Sequence, residues 1–267
     1  MADDLTALHR ETGLAWDATA ALYERDEPRD VARLREGWTS ILPAEEPLLR
    51  QLLPCGRALH LQCAGGTDTL SLWRLGARLV IGVDISERMI AIARRKASAL
   101  RAPATFVACD VLQTPRTFDR TIDILYTGKG ALPWMMDLDA WAATVARLLA
   151  PRGHLFVYEG HPLDWVWDLG AEDYRLSART GDYFQPGPVT DRSWPATADV
   201  VQRAPEPLHV HEHQWTLGEV VTAVAGAGLR IERLVEHPEL FWEQFPGLRP
   251  DLRARLPHSY TLVACRA

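Results

Sequence analysis

The sequence predicts an α/β fold, a doubly wound, mostly parallel sheet with helices on both faces. Three observations carry this. From residue 57 onward, apolar runs of strand length alternate with helical periods, the rhythm of βαβ units. Some runs, LVIGV at 79–83 above all, are apolar throughout, as a strand covered on both faces must be. With 267 residues, 47% hydrophobic and 24% charged, the chain is large enough for one well-buried domain with insertions.

Residues 1–56 read as a helical cap broken at Pro28, Pro43 and Pro47, with Trp16, Ala20 and Tyr23 on one helix face. RALHLQ (57–62) is a first strand. The small-residue turn CAGG follows it, then a helix running to Gly76 that Thr67 or Asp68 caps. RLVIGVD (78–84) is a second strand, and Ser86 caps the helix ERMIAIARRKASAL (87–100). ATFVACD (104–110) and TIDILYT (121–127) are a third and a fourth strand. Asp137 caps a helix whose Trp141, Val145, Leu148 and Leu149 form an apolar stripe. GHLFVYEG (153–160) is a fifth strand. Residues 162–215 break the rhythm with prolines, aromatics and charges, and read as a functional insertion over the sheet's edge. TLGEVVTAVAGAGL restores a helix, and LRIERLVEH and SYTLVACRA close the sheet, bringing residues 57–267 into one domain.

Composition excludes several classes. A net charge of −6 leaves no basic surplus for a nucleic-acid backbone. No run of about 18 apolar residues exists to span a membrane, and the acidic N-terminus MADDLTALHRET lacks a secretory core. Cys55, Cys63, Cys109 and Cys265 are scattered without C-x-x-C spacing, which suits a reducing cytoplasm rather than a disulfide framework. His209, His211 and His213 would share one side of a strand. With no acidic or thiol partner at fixed spacing, they are expected to line substrate or support structure, and no metal is expected. Oligomeric state is not written in the sequence.

In an open parallel sheet the ligand lies beyond the carboxyl ends of the central strands. Those ends carry Gln62, Cys63, Ala64, Gly65 and Gly66 after the first strand, Asp84 after the second, Asp110 after the third, and Tyr126 and Thr127 on the fourth. A carboxylate at Asp84 can accept both hydroxyls of a ribose. One at Asp110 can accept an exocyclic amine, with Ile85 and Val111 offering apolar faces to a purine.

These residues resemble the class I S-adenosylmethionine-dependent methyltransferases. HLQCAGGTDTLSLWRLGA is similar to that family's first motif, GVDISERMI to its second, ACDV to its third, and LLAPRGHLFVYE to the segment bringing in the fifth strand. AWDATAALY matches a pattern that precedes the domain and covers the cofactor, which marks Trp16 and Tyr23 as lid residues. The resemblance implies a Rossmann-like, seven-stranded sheet with an antiparallel closing strand. It also implies S-adenosyl-L-methionine as cofactor and methyl transfer to a small molecule. The loop departs from the family: Gln62 and Ala64 stand at glycine positions and His60 replaces the leading acid, so the methionine end is expected to be held differently.

Glu159 and His161, just past the fifth strand, are the candidate general bases. Lys129 is a candidate to hold a carboxylate, and Trp134 and Trp165 (with Trp167) to line the acceptor site. Two rivals stand beside this reading. A nicotinamide oxidoreductase would want G-x-G-x-x-G, which QCAGGTDT does not supply. A non-catalytic protein that binds the same cofactor is the other.

Overall fold

The computed structural model of the chain describes residues 2–191 and 208–267. One sheet organises it, built from β1 (Cys55–Leu61), β2 (Ala77–Asp84), β3 (Ala104–Ala108), β4 (Ile122–Gly128), β5 (Leu149–Gly160), β8 (Leu229–His237) and β9 (Ser259–Arg266) in the order β3-β2-β1-β4-β5-β9-β8. β1 to β5 are parallel, and β9 runs antiparallel between β5 and β8. The strand order reverses direction between β1 and β4, and a crevice opens at such a switch point beyond the carboxyl ends.

Side-chain alternation sends each strand residue to one of two cores. Leu59, Leu61, Ile81, Val83 and Leu125 pack under α5 (Leu138–Leu148) and α6 (Leu217–Gly226). Ala58, Val80, Ile124 and Tyr126 point the other way, toward α2 (Glu46–Leu52) and α3 (Thr67–Arg74). On that second face α4 (Glu87–Leu100) completes the layer, with Ile90 and Phe106 against Leu34 of the N-terminal helix. Ser86 and Asp137 cap α4 and α5 as expected, their side chains accepting from Met89 and Ala140 N–H.

Two local expectations fail. The N-terminal segment is not broken at Pro28: α1 runs from Ala2 to Arg35 straight through it. A mid-helix proline costs on the order of 3 kcal/mol, but contacts to α4 bracket this one. Arg88 reaches Glu24, Arg95 reaches Glu27, and buried Lys96 lies 2.8 Å from Asp30. Neither Thr67 nor Asp68 caps α3, whose N-cap is Gly66 at φ +76° with no side-chain cap. Glycine is required there, since a Cβ would stand 2.6 Å from that of Ala93.

The segment after β5 contributes a 3₁₀ turn (Pro162–Val166) and a small hairpin of β6 (Val189–Asp191) and β7 (Val210–Glu212) that packs beside α1. A short helix, α7 (Pro250–Arg253), precedes β9. Among the described residues no helix is long and apolar enough to cross a membrane.

Candidate functional site

A cavity of about 310 Å³ occupies the crevice. The β1–α3 turn forms its floor, with Gln62 at φ +57° and Ala64 at φ +43°, both in the left-handed region that non-glycine residues avoid. Gln62 is held there by donating from Nε2 to Ala131 O at 2.6 Å. Its Oε1 is buried without a partner among the described residues. Cys63, Ala64, Gly65 and Gly66 complete the floor, and burial holds the Cys63 thiol well above its ordinary value.

Asp84 closes β2 against this turn. Its Oδ2 accepts from Ala64 N–H at 2.8 Å and its Oδ1 from Ser86 N–H at 2.9 Å. A carboxylate has about four lone-pair sites, so each oxygen keeps capacity for another donor. Burial lifts its pKa from 3.8 to about 6. Ile85 and Val111 line the same wall. Asp110 also lines it, and here the sequence reading missed a partner. His9 of α1 lies with Nδ1 at 2.7 Å from Asp110 Oδ2, while its Nε2 accepts from Met136 N–H. The ring proton therefore sits on Nδ1 and is donated to Asp110.

Lys129 faces the cavity but is not a free cation. Its ammonium donates to Ser40 O at 3.0 Å, to Asp68 Oδ2 at 3.1 Å and to Glu45 Oε1 at 2.9 Å, which engages all three protons. The expectation that it holds a ligand carboxylate is corrected on that ground. Asp68, whose side chain the sequence suggested as a cap, is instead a cavity-lining acid paired with Lys129 and Ser40. His60 also lines the cavity, bonded to Thr69, and its burial pushes its pKa down to about 4.

Tyr126 and Thr127 do not belong to the cavity. Ile124 and Tyr126 of β4 point toward α2, and Tyr126 is fully buried and donates its hydroxyl to Glu45 Oε2 at 2.7 Å. Thr127 is fully buried against Leu61 O. β4 reaches the cavity through Gly128, Lys129 and Gly130 instead. Gly128 stands at φ +151°, and a Cβ there would lie 1.8 Å from Tyr158 O.

Glu159 is no free base. Its carboxylate accepts from Ala131 N–H at 2.8 Å, Leu132 N–H at 2.9 Å, Gly160 N–H at 2.9 Å and Gly130 N–H, using the acceptor sites of both oxygens. It ties down the loop after β4. His161 is likewise committed: Nδ1 accepts from Leu163 N–H and Nε2 donates to Glu236 at 2.9 Å, leaving no lone pair for a substrate proton. Both catalytic candidates are thus fully engaged with protein partners. The three histidines part company too. Only His211 lies in β7, with its ring between Thr190 and Glu11, while His213 stacks on Trp215 at 3.6 Å.

A second chamber of about 600 Å³ adjoins the first, and Trp16, Tyr23, Lys129, Gly130 and Trp134 line both. Trp16 packs edge-on against Trp134 at 5.7 Å and Tyr23 at 6.4 Å, so α1 supplies the wall where the two spaces meet. Trp165 and Trp167 line the second chamber, as does the hairpin through Val189, Asp191 and Glu212. No local pattern announces this grouping, because the acids lie far apart in the insertion.

Residues 58–153 match the family model of the methyltransferase domain. An S-adenosylmethionine-dependent methyltransferase from Mesorhizobium loti is similar to the chain, at 26% identity and TM-score 0.59 over 84% of this chain and 98% of that one. A geranyl diphosphate C-methyltransferase from Streptomyces coelicolor A3(2), with Mg2+, geranyl diphosphate and S-adenosyl-L-homocysteine, shares the fold at 16% identity and TM-score 0.57, over 84% and 78%. So does an S-adenosylmethionine-dependent methyltransferase from Clostridium acetobutylicum, at 14% and 0.57, over 84% and 89%. No curated protein matches the chain.

Proposed function

Taking residues 58–153 as a class I methyltransferase domain, we propose that the chain binds S-adenosyl-L-methionine and moves its methyl group to a small-molecule acceptor. The observation that carries this is the charge of the first cavity. Among the described residues Asp68, Asp84 and Asp110 line it, and the one lysine or arginine that does so, Lys129, has every proton engaged. Such a site attracts a cationic ligand and repels a pyrophosphate, which argues against a nicotinamide dinucleotide.

The donor set fits the cofactor. Asp84 keeps acceptor capacity for two ribose hydroxyls, Ile85 and Val111 offer apolar faces to the adenine, and the orphaned Gln62 Oε1 is an acceptor for the α-ammonium. When bound, the cofactor supplies an electrophilic methyl on a sulfonium, whose displacement loses positive charge. The chain's own residues then align, desolvate and hold. Gln62 and the Asp84 carboxylate orient the ligand, Glu159 fixes the loop beneath it, and Trp16 and Trp134 exclude water where the chambers meet. The engaged states of Glu159 and His161 leave this mechanism without a dedicated general base, as suits an alignment-driven displacement. The aromatic second chamber takes the acceptor.

Titration calorimetry tests the reading. S-adenosylmethionine and its demethylated product should bind and NAD should not. Asp84→Ala should weaken both true ligands by roughly ten- to several-hundredfold, the worth of bonds to a charged acceptor. Transfer of a labelled methyl group into metabolite extracts completes the test. Tight NAD binding, or unchanged affinity in Asp84→Ala, overturns it.

A further inference from the structure

The second chamber joins two features that usually exclude each other, aromatic walls and a surplus of acid. Trp16, Trp134, Trp165, Trp167, Phe241 and Trp242 supply ring faces. Among the described residues, five carboxylates line the same space, Glu159, Asp164, Asp168, Asp191 and Glu212, against two cations, Lys129 and Arg179. Most of these charges are settled within the protein. Glu159 accepts loop N–H groups, and Asp164 takes His258 Nδ1 at 2.7 Å and Gln244. Asp168 accepts from Gly170 N–H, Asp191 pairs with Arg179, and Lys129 is engaged as described.

Glu212 is the exception. It sits at the end of β7, paired through its backbone with Val189, and lines the chamber, but its carboxylate makes no hydrogen bond or ion pair with any described residue. Burial is the first cause that lifts its pKa to about 7, the neighbouring Asp191 charge the second, and Arg179 acts against them. A largely buried carboxylate without a partner is costly unless a ligand neutralises it. Trp167 adds a second unmet group, an indole N–H buried without a hydrogen-bond acceptor.

We propose that the acceptor bound in this chamber carries an organic ammonium group, set among the tryptophan rings with Glu212 as counter-ion. That protonated nitrogen has no lone pair and is the anchor, and the methyl goes to a different atom of the molecule that does have one. The inference rests on the methyltransferase reading only in calling this molecule an acceptor. Ring faces attract a desolvated cation, and an unpaired carboxylate gives the attraction a fixed end. An anionic or metal-bridged acceptor fits poorly. Among the described residues the basic side chains lining the chamber, Lys129 and Arg179, are already paired. Among the described residues, no three of these acids bring ligand atoms together as an ion site would. Trp167 Nε1 offers a donor to an oxygen or ring nitrogen elsewhere on the same molecule.

Three probes of one shape decide the matter on the full chain without any methyl donor: 2-phenylethylamine, 2-phenylethanol and 3-phenylpropionate, titrated by calorimetry near neutral pH. The amine should bind at least tenfold tighter than the alcohol, with the acid weakest. Glu212→Gln, checked for folding by its thermal melt, should lose most of that preference. An alcohol or acid that binds as tightly as the amine, no detectable amine binding, or a preference that survives in folded Glu212→Gln overturns the proposal. If Glu212→Gln does not fold, the ranking of the three probes on the parent decides alone. Because no methyl donor is present, a failure here is separate from a failure to bind S-adenosylmethionine.

Discussion

Asp84 carries two opposed demands. To accept ribose hydroxyls it must be ionised, yet it is 8% exposed, and burial raises its pKa from 3.8 to about 6 against the pull of the Ser86 and Ala64 N–H groups. The folded state therefore binds this proton more tightly than the unfolded chain does. Stability is greatest below the unfolded pKa and falls as pH rises toward the folded one. Relative to Asp84→Asn, which does not titrate, the parent should lose on the order of 2–3 kcal/mol between about pH 4 and about pH 7. Urea unfolding at both pH values reads this, and parallel behaviour of the two proteins would refute it. Asp84 was legible in the sequence because an acid ending an all-apolar strand emerges at the sheet edge whatever the neighbours do. Tyr126 and Thr127 were misread because their fate depends on strand parity and on where β4 ends. The strand continues to Gly128, so the groups that reach the cavity come one turn later. His9 was missed for a different reason: its meeting with Asp110 joins residues 101 positions apart, which no local pattern announces.

Whole elements show the same division between local and long-range causes. Periodicity and caps located the seven strands of the main sheet and α4, α5 and α6, since these signals lie within a dozen residues, whereas β6 in the insertion had no such signal. α1 was read as broken because propensity was weighed without its tertiary partners. The pair that anchors it is Lys96, with its side chain fully buried, and Asp30, 12% exposed, with Thr67 also bonded to both. Removing one partner from such a pair leaves a buried charge. Asp30→Ala should cost about 3–5 kcal/mol, with the joint change of Asp30→Leu and Lys96→Met recovering most of it. Chemical denaturation of the three proteins measures both. If Asp30→Ala is as stable as the parent, the pair does not hold α1 in place. Glu159 makes the parallel case for a loop. A carboxylate at a strand end looks like a base, and only the turn after β4, whose Gly130, Ala131 and Leu132 N–H groups it accepts from, shows the anchor it is. Glu159→Gln exchanges an acceptor oxygen for a donor amide. It should weaken cofactor binding at least tenfold while leaving the sheet folded, measured by calorimetry beside circular dichroism; unchanged affinity would detach this loop from the site.

At the scale of the molecule, the sheet supplies the acids and α1 supplies the enclosure. The helix has 34 residues, about 50 Å of length, and it touches the first cavity through His9 and Thr12 and both cavities through Trp16 and Tyr23. The hairpin carrying Glu212 packs on the same helix, where His211 meets Glu11 and Thr12. One element thus bounds the first cavity, the second chamber and the β6–β7 pair, and its Trp16 stands where the two spaces join. Replacing Trp16 by alanine removes the ring packed against Trp134 and Tyr23 and lets water reach the place where methyl transfer must be dry. Trp16→Ala should therefore weaken cofactor and acceptor together, each by roughly tenfold, since about 1.4 kcal/mol of lost packing corresponds to that factor. It should lower turnover further through misalignment. Leu14→Ala, on the same helix but at a side chain 53% exposed to solvent, should change neither. Calorimetry with S-adenosylhomocysteine, and then with 2-phenylethylamine, separates the two affinities. A Trp16→Ala protein that loses only one of them would show that α1 serves that chamber alone and that the spaces do not share a wall.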